Sequence, residues 1–372
     1  MEVLLPYILF ALFQVCFVVQ LYFLVYNHSR LRETDGVNDI FEQVLPVSVI
    51  ICARNEAYNL QENLSAILTQ DYPDFEVIVV NDCSNDGSQA ILDQFKNTCP
   101  KLKIVTVTEH KRFKTGKKFA LTMGIKAAKN EHLLLIDADC KPASQLWVQL
   151  MQKAFTDSKE IVLGYSPYRK TGGLLNTFIR FETLKTAINY LSAALNNNPY
   201  MGVGRNLAYT KSLFFRSKGF ASHLHLLSGD DDLFVNQNAT PSNTAIQIAP
   251  EAHTYSETKI GLAAYYRQKR RHMGVGKYYR RKDRIRITLD ALTGFLFYIF
   301  LTVLLFLKFE PGIVAGIFVF RLIVQYVVYP KVFRKLGAAD LIWLFPVLDL
   351  FYYIYLNVFG VVGSVTKNLK WK

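Results

Sequence analysis

The 372 residues are 51% hydrophobic and 14% aromatic, with a formal charge of +13. That content is enough to bury at least one large core, which excludes a disordered, highly polar chain. The positive charge would suit nucleic acid, but much of it lies in 265–286, YYRQKRRHMGVGKYYRRKDRIR, immediately before an apolar span. There it reads as contact with anionic lipid and as a cytoplasmic marker, and it argues against a nucleic-acid partner. The five cysteines, Cys16, Cys52, Cys83, Cys99 and Cys140, form no CxxC pair, as expected of reduced thiols in a cytosol-facing domain.

Residues 3–26 are uncharged and exceed the roughly 20 needed to cross a bilayer. Glu2 precedes them and Arg30 and Arg32 follow, so residues 1–27 are expected to anchor a domain on the cytoplasmic side. Residues 28–45 then form a polar linker. From Pro46 the pattern is that of a soluble domain. A strand at 47–52 leads through Ala53-Arg54-Asn55-Glu56 into a helix with Leu60, Leu64, Ile67 and Leu68 on one face. Tyr72-Pro73-Asp74 stops it. A second strand at 76–80 ends in Asn81-Asp82 and a run of turn and cap residues to Ser88. There follow a helix to about Phe95, a strand at 103–108, a helix at 117–129 and the apolar strand 133–136, which ends abruptly in Asp137-Ala138-Asp139.

This alternation predicts an α/β fold with a doubly wound, mostly parallel sheet. Ligands of such sheets sit beyond the carboxyl ends of the strands. Asn55 and Glu56, Asp82, and Asp137 with Asp139 all fall there, on three strands, and the convergence points to a nucleotide. Two aspartates one residue apart at a strand end can approach a divalent cation that carries phosphate. Two lookalikes fail: Lys114-Thr115-Gly116-Lys117 lacks the spacing of a phosphate loop, and Gly202-Val203-Gly204 lacks the third glycine of a dinucleotide fingerprint.

The motifs VSVIICARNE (47–56), VIVVNDCSNDGS (77–88), KTGKKFAL (114–121), LLLIDADC (133–140), GVGRNLAYTK (202–211), SGDDDLF (228–234) and QKRRH (268–272) occur in this order. As an ordered set they resemble the family 2 inverting glycosyltransferases of GT-A fold, in their membrane-anchored bacterial form. The resemblance implies that Asn55 and Glu56 border the nucleoside pocket and that Asp82 bonds the base. Lys117 and Asp137 would hold the nucleotide, and Asp139 would ligate Mg²⁺ or Mn²⁺ on the diphosphate. By the paired-acid motif, Asp231 would be the general base, with Asp230 second. Arg205 and Asn206 would lie near donor sugar and acceptor, Gln268 would contact substrate, and Arg271 would face the diphosphate. His272 stands where the family's QxxRW element has tryptophan, which weakens a polymerase reading. The lone His253 is expected to be structural.

After the domain, 46–257, and the basic segment, 258–287, comes a membrane region, 288–372. Spans 288–307 and 312–329, separated by Lys308-Phe309-Glu310-Pro311, predict a hairpin within 288–330. Segment 341–363 contains Pro346 and Asp349, and a full crossing would put Lys367, Lys370 and Lys372 outside, against the positive-inside tendency. Either it is re-entrant or interfacial, or the rule is violated. Arg321, Gln325 and Asp349 are polar at membrane depth, where such residues face protein or a cavity. The expected protein is a multi-pass inner-membrane enzyme with a cytoplasmic catalytic domain. By the resemblance it moves sugar from a nucleotide-sugar donor, UDP-linked, to a lipid-linked acceptor. A processive synthase working as an oligomer and a non-catalytic nucleotide-sugar-binding protein are the alternatives.

Overall fold

The computed structural model describes residues 4–34, 44–109, 116–156, 158–258 and 261–365, and excludes the side chains of 270–273 and 361–365. Strands β1 (Val47–Ala53), β2 (Phe75–Asp82), β3 (Leu102–Val107) and β4 (His132–Leu135) alternate with helices Ala57–Leu68, Ser88–Thr98 and Lys117–Ala127. Later come β5 (Cys140–Pro142), β6 (Ile161–Leu163), β7 (Leu207–Thr210), β8 (Thr244–Ile246) and β9 (Thr254–Ser256). Seven strands form one sheet in the order β3-β2-β1-β4-β7-β6-β8, and β5 pairs with β9 apart from it. The pairs β1–β2, β1–β4, β2–β3 and β6–β8 are parallel, while β7 runs antiparallel to both neighbours. This is the mostly parallel, doubly wound sheet of GT-A type that the sequence predicted.

The apolar runs of β1 and β2 are buried on both faces because helices cover both. Val49, Ile51, Val77 and Val79 meet Leu60 and Leu64 on one side. Ile50, Ile78 and Val80 meet Leu121 and Ile125 on the other. Helix Lys117–Ala127 sits close to the sheet at Gly124, where a Cβ would lie 2.7 Å from Ile50 and 2.9 Å from Val80. That approach holds the start of this helix, and so Lys117, beside the strand ends.

The second core continues through helix Leu174–Leu195, by way of Phe181, Leu184 and Ile188, to Phe13, Phe297 and Val332 of the apolar helices. Three of these, Leu4–Glu33, Arg281–Phe306 and Pro311–Lys335, are long and apolar enough to cross a membrane. The last, Phe345–Val365, has a shorter apolar stretch, Phe345–Gly360. Lys367, Lys370 and Lys372, which bear on its topology, lie outside the described residues. The first helix does not stop at residue 27. It passes through a π-helical stretch, Tyr22–His28, and on to Glu33. Its polar residues there have partners in the domain: Asn196 donates to Asn27 at 3.0 Å, and His28 Nε2 lies 2.8 Å from Asn189 Oδ1.

Candidate active site

A cavity of about 1050 Å³ opens beyond the carboxyl ends of β1, β2 and β4. At the end of β1, Arg54 and Glu56 line it. Asn55 does not. Its φ is +55°, its N–H donates to Ser84 Oγ at 3.0 Å, and its Oδ1 accepts from the Asn85 N–H at 2.9 Å. It therefore ties the β1 turn to the β2 turn, and its residue type reflects the left-handed backbone that asparagine tolerates.

Asp82, at the end of β2, is buried, with the Arg54 guanidinium 3.8 Å away. Burial pushes its carboxyl above the usual range, against the Cys83 thiol and Arg54. Among the described residues neither carboxylate oxygen has a full hydrogen-bond partner, so the group is suited to accept from a ligand N–H.

Lys117 organises the centre. Its Nζ lies 2.9 Å from Asp137 Oδ1 and 3.0 Å from Asp230 Oδ2. Burial alone would lower its pKa, but Asp137, Asp230 and Asp231 together hold the ammonium well above its ordinary value. One cation thus binds the end of β4 to the acid run that precedes helix Asp232–Asn238. Asp139 also lines the cavity, and its Oδ1 accepts from the Cys140 thiol at 3.4 Å.

The three consecutive aspartates have three environments. Asp230 is buried, which would raise its pKa, yet Lys117 holds it below the usual range. Asp231 is raised by burial and by the charge of Asp230. Its Oδ2 accepts the Gly204 N–H and its Oδ1 the Asp232 N–H, each at 2.8 Å. A Cβ at Gly204 would lie 3.3 Å from Asp231, so the second glycine of GVG lets the backbone approach the carboxylate. Asp232 is pushed up to about 8 by burial and by Asp231, and it accepts the Tyr279 hydroxyl at 2.8 Å.

Arg205 lines the cavity with its guanidinium 4.5 Å over the Tyr168 ring, and Gln268 donates to the Tyr168 hydroxyl at 3.3 Å. Asn206 turns away from it. Fully buried, it accepts from Trp147 Nε1 and donates to the carbonyls of Tyr165 and Ala252. Both N–H donors are thus used within the protein, and the fully buried side chain does not reach the cavity. Arg271 belongs to helix Leu262–Met273, but its side chain lies outside the described residues. His253 is buried, with Nε2 at 3.1 Å from the Ile248 carbonyl, as a structural histidine would be.

Sequence reasoning missed Lys118. Its Nζ donates to the carbonyls of His223, Leu226 and Ser228, at 2.7, 3.0 and 2.8 Å. It thereby fixes the loop that delivers Asp230. No pattern around Lys118 announced this; only the doubled lysine distinguishes the position.

Among the described residues no group of three or more metal-ligating side chains forms a self-sufficient metal centre. Asp137 and Asp139 offer oxygen donors at the cavity wall. This fits Mg²⁺ or Mn²⁺, which bind through one or two carboxylates plus substrate phosphates, and does not fit a cation caged by protein alone.

Residues 48–220 match the family model described as Glycosyl transferase family 2. Among curated proteins, a poly-beta-1,6-N-acetyl-D-glucosamine synthase of Staphylococcus epidermidis is 32% identical over 114 residues, 31% of this chain and 25% of the relative. The glycosyltransferase AglE of Haloferax volcanii is 37% identical over 105 residues, 28% of this chain and 33% of the relative. The matched parts thus span about a quarter to a third of those relatives. In fold, the chain is similar to a mannosyltransferase of Pyrobaculum calidifontis solved with GDP-Man and Mn²⁺. The TM-score is 0.61 at 19% identity, over 95% of this chain and 99% of that one.

Proposed function

We propose, for a chain whose residues 48–220 belong to glycosyl transferase family 2, that it transfers a sugar from a nucleoside diphosphate to a hydroxyl of a lipid-linked acceptor. The donor is UDP-linked, the anomeric configuration inverts, and a divalent cation is required. One observation carries this reading: Lys117 pairs with both Asp137 and Asp230, so the donor-facing strand ends and the acid run share one cleft. The same cavity extends to the apolar helices at Leu292 and Leu356, which is where a membrane-borne acceptor would arrive. The catalytic domain lies at the cytoplasmic face of the inner membrane, in keeping with Arg30 and Arg32 after the first span.

In this reading Asp82 accepts from the base, Glu56 borders the nucleoside, and Lys117 and Arg205 meet the diphosphate. Asp139, with Asp137, would hold Mg²⁺ or Mn²⁺; when bound, the cation neutralises charge on the departing diphosphate. The acceptor oxygen bonds to the anomeric carbon as the bond to the diphosphate breaks, and the hydroxyl proton passes to a carboxylate.

Geometry favours Asp230 over Asp231 as that base. Asp231 has an oxygen on each of two backbone N–H groups, which is the work of a cap. Asp232, raised to about 8, is largely protonated at neutral pH. Asp230 is held ionised, with Oδ2 3.0 Å from Lys117 Nζ. Asp230→Asn should cut transfer by at least about a hundredfold. It should leave nucleotide-sugar binding intact in a thermal-shift panel with Mn²⁺. Undiminished transfer by that variant would move the base elsewhere; no stabilisation of the wild type by any nucleotide-sugar would end the transferase reading. The length of the cavity beyond the acid run favours a second reading, repeated addition, and product length by mass spectrometry separates the two.

A further inference from the structure

The cavity does not end at the aspartates. Past them its wall is taken over by helix Leu262–Met273, the start of helix Arg281–Phe306 and the last helix. This part carries a surplus of positive charge. Of its acids, Glu182 pairs with Lys269 and Asp290 accepts from Gln20 at 3.2 Å, while Glu257, also on the wall, is exposed. Its cations Arg267, Lys277, Arg284 and Arg286 line the same space. Among the described residues none of these four has a carboxylate within ion-pair distance. Arg284 gives one N–H to the Lys277 carbonyl, and Arg286 lies 6.0 Å over the Tyr200 ring. Arg286 is half-buried and the other three are exposed; cations that line a cavity without an ion-pair partner are suited to an anion, and guanidinium to phosphate oxygens in particular.

Beyond these groups the wall becomes apolar, with Leu292 on one helix and Leu356 and Gly360 on another. Gly360 is exposed, and a Cβ there would meet nothing within 4 Å. One cavity is thus lined by acids and hydroxyls, by cations, and by apolar helix faces.

We infer that the acceptor is a lipid whose sugar is carried on a phosphate or diphosphate, and that Arg286, with Arg284 and Lys277, holds that anion at the membrane end of the cavity. The inference rests on the transferase reading and adds the chemistry of the acceptor. The phosphate is recognised and does not itself attack. A phosphate oxygen is already ionised near neutral pH and needs no base, whereas a sugar hydroxyl must give up its proton to Asp230. In the balanced step the hydroxyl oxygen takes the anomeric carbon, the proton goes to the carboxylate, and the nucleoside diphosphate leaves with the electron pair.

The test uses the full chain in phosphatidylcholine nanodiscs without donor. Two probes are compared by native mass spectrometry: N-acetylglucosamine on a polyisoprenyl diphosphate, and the same sugar on an uncharged long-chain alcohol. The wild type should bind the diphosphate lipid about tenfold or more tightly than the neutral one. Arg286→Gln should lose most of that preference, and Arg286→Lys, which keeps the charge, should retain part of it. Arg281→Gln, at an exposed position off the cavity wall, should behave as wild type. Absence of preference in the wild type overturns the inference. So does equal loss in the Arg281 and Arg286 variants, which would mean general surface attraction. A weakened affinity of Arg286→Gln for UDP with Mn²⁺, with lipid binding unchanged, would assign Arg286 to the donor and overturn it too. Failure of the transferase reading is seen separately, as wild-type protein that binds no nucleotide-sugar.

Discussion

At the scale of single residues, identity and role separate. The spacing of acids after strands was legible because a carboxylate at the end of a buried strand is conspicuous, and Asp82, Asp137, Asp139, Asp230 and Asp231 do line one cavity. Which of the neighbouring polar groups faces inward was not legible. Asn55 and Asn206 have the right type and place in the sequence, yet structural hydrogen bonds within the protein engage both. The same holds for the acid run, and it gives a prediction. Asp231→Ala should destabilise the protein by about 1 kcal/mol through the lost cap, and Asp230→Asn should act on turnover far more than on stability. Chemical denaturation of the two variants beside transfer assays checks the split; the reverse pattern would restore Asp231 as the base. Lys118 is a positioning residue. Lys118→Met leaves three loop carbonyls without their donor. We expect kcat to fall at least tenfold while the KM for donor changes less than twofold, because the loop carries Asp230 and not the nucleotide wall.

At the scale of elements, the first four strands and their helices were readable because parallel strands covered on both faces are continuous apolar runs. Strands β5, β6, β8 and β9 have three residues each, too few for a period-2 pattern to stand out. Helix Leu174–Leu195 carries no strong amphipathic stripe, since it is packed from several sides by sheet and apolar helices. Its link to the turn before the last helix is electrostatic. Arg180 donates both terminal nitrogens to Asp340 at 2.7 Å, and Lys170 lies 3.0 Å away. The Arg180 hydrogen bonds, against a partial burial penalty, hold the Asp340 carboxyl down to about 2. A folded-state pKa below the unfolded value means stability that is present above the unfolded pKa and lost as pH falls through the folded one. The link should therefore contribute about 1–2 kcal/mol at neutral pH, after allowance for solvent screening. Below about pH 4 the contribution should shrink, toward half by about pH 3. The melting-temperature gap between wild type and Asp340→Asn, followed from pH 7 downward, reads this directly. A gap that stayed constant to pH 3 would show that the pair is not what joins these elements.

At the scale of the whole molecule, the catalytic domain and the apolar helices are joined by a charged cluster buried where they meet. Lys185, on the long domain helix, lies 3.3 Å from Asp349 Oδ1, and Arg321 lies 2.9 Å from Asp349 Oδ2. Gln325 and the Tyr298 hydroxyl donate to the same carboxylate, at 3.2 and 3.0 Å. The polar residues noticed inside apolar segments thus face protein, as the cost of burying them requires; that their partner would be a lysine 164 positions earlier could not be read from local sequence. All three ionic side chains are almost wholly buried, so the two arms of the comparison differ in sign. Removal of the acid alone leaves two cations opposed in low dielectric, and Asp349→Leu should cost about 3–5 kcal/mol. Replacement of all three by apolar groups removes the charges together, and the Lys185→Met, Arg321→Met, Asp349→Leu variant should regain most of that loss. Thermal unfolding in one detergent, with nucleotide binding as a second readout, measures both. If the triple variant were less stable than Asp349→Leu, the cluster would be a source of stability in its own right and not a device that fixes how the domain seats on its helices.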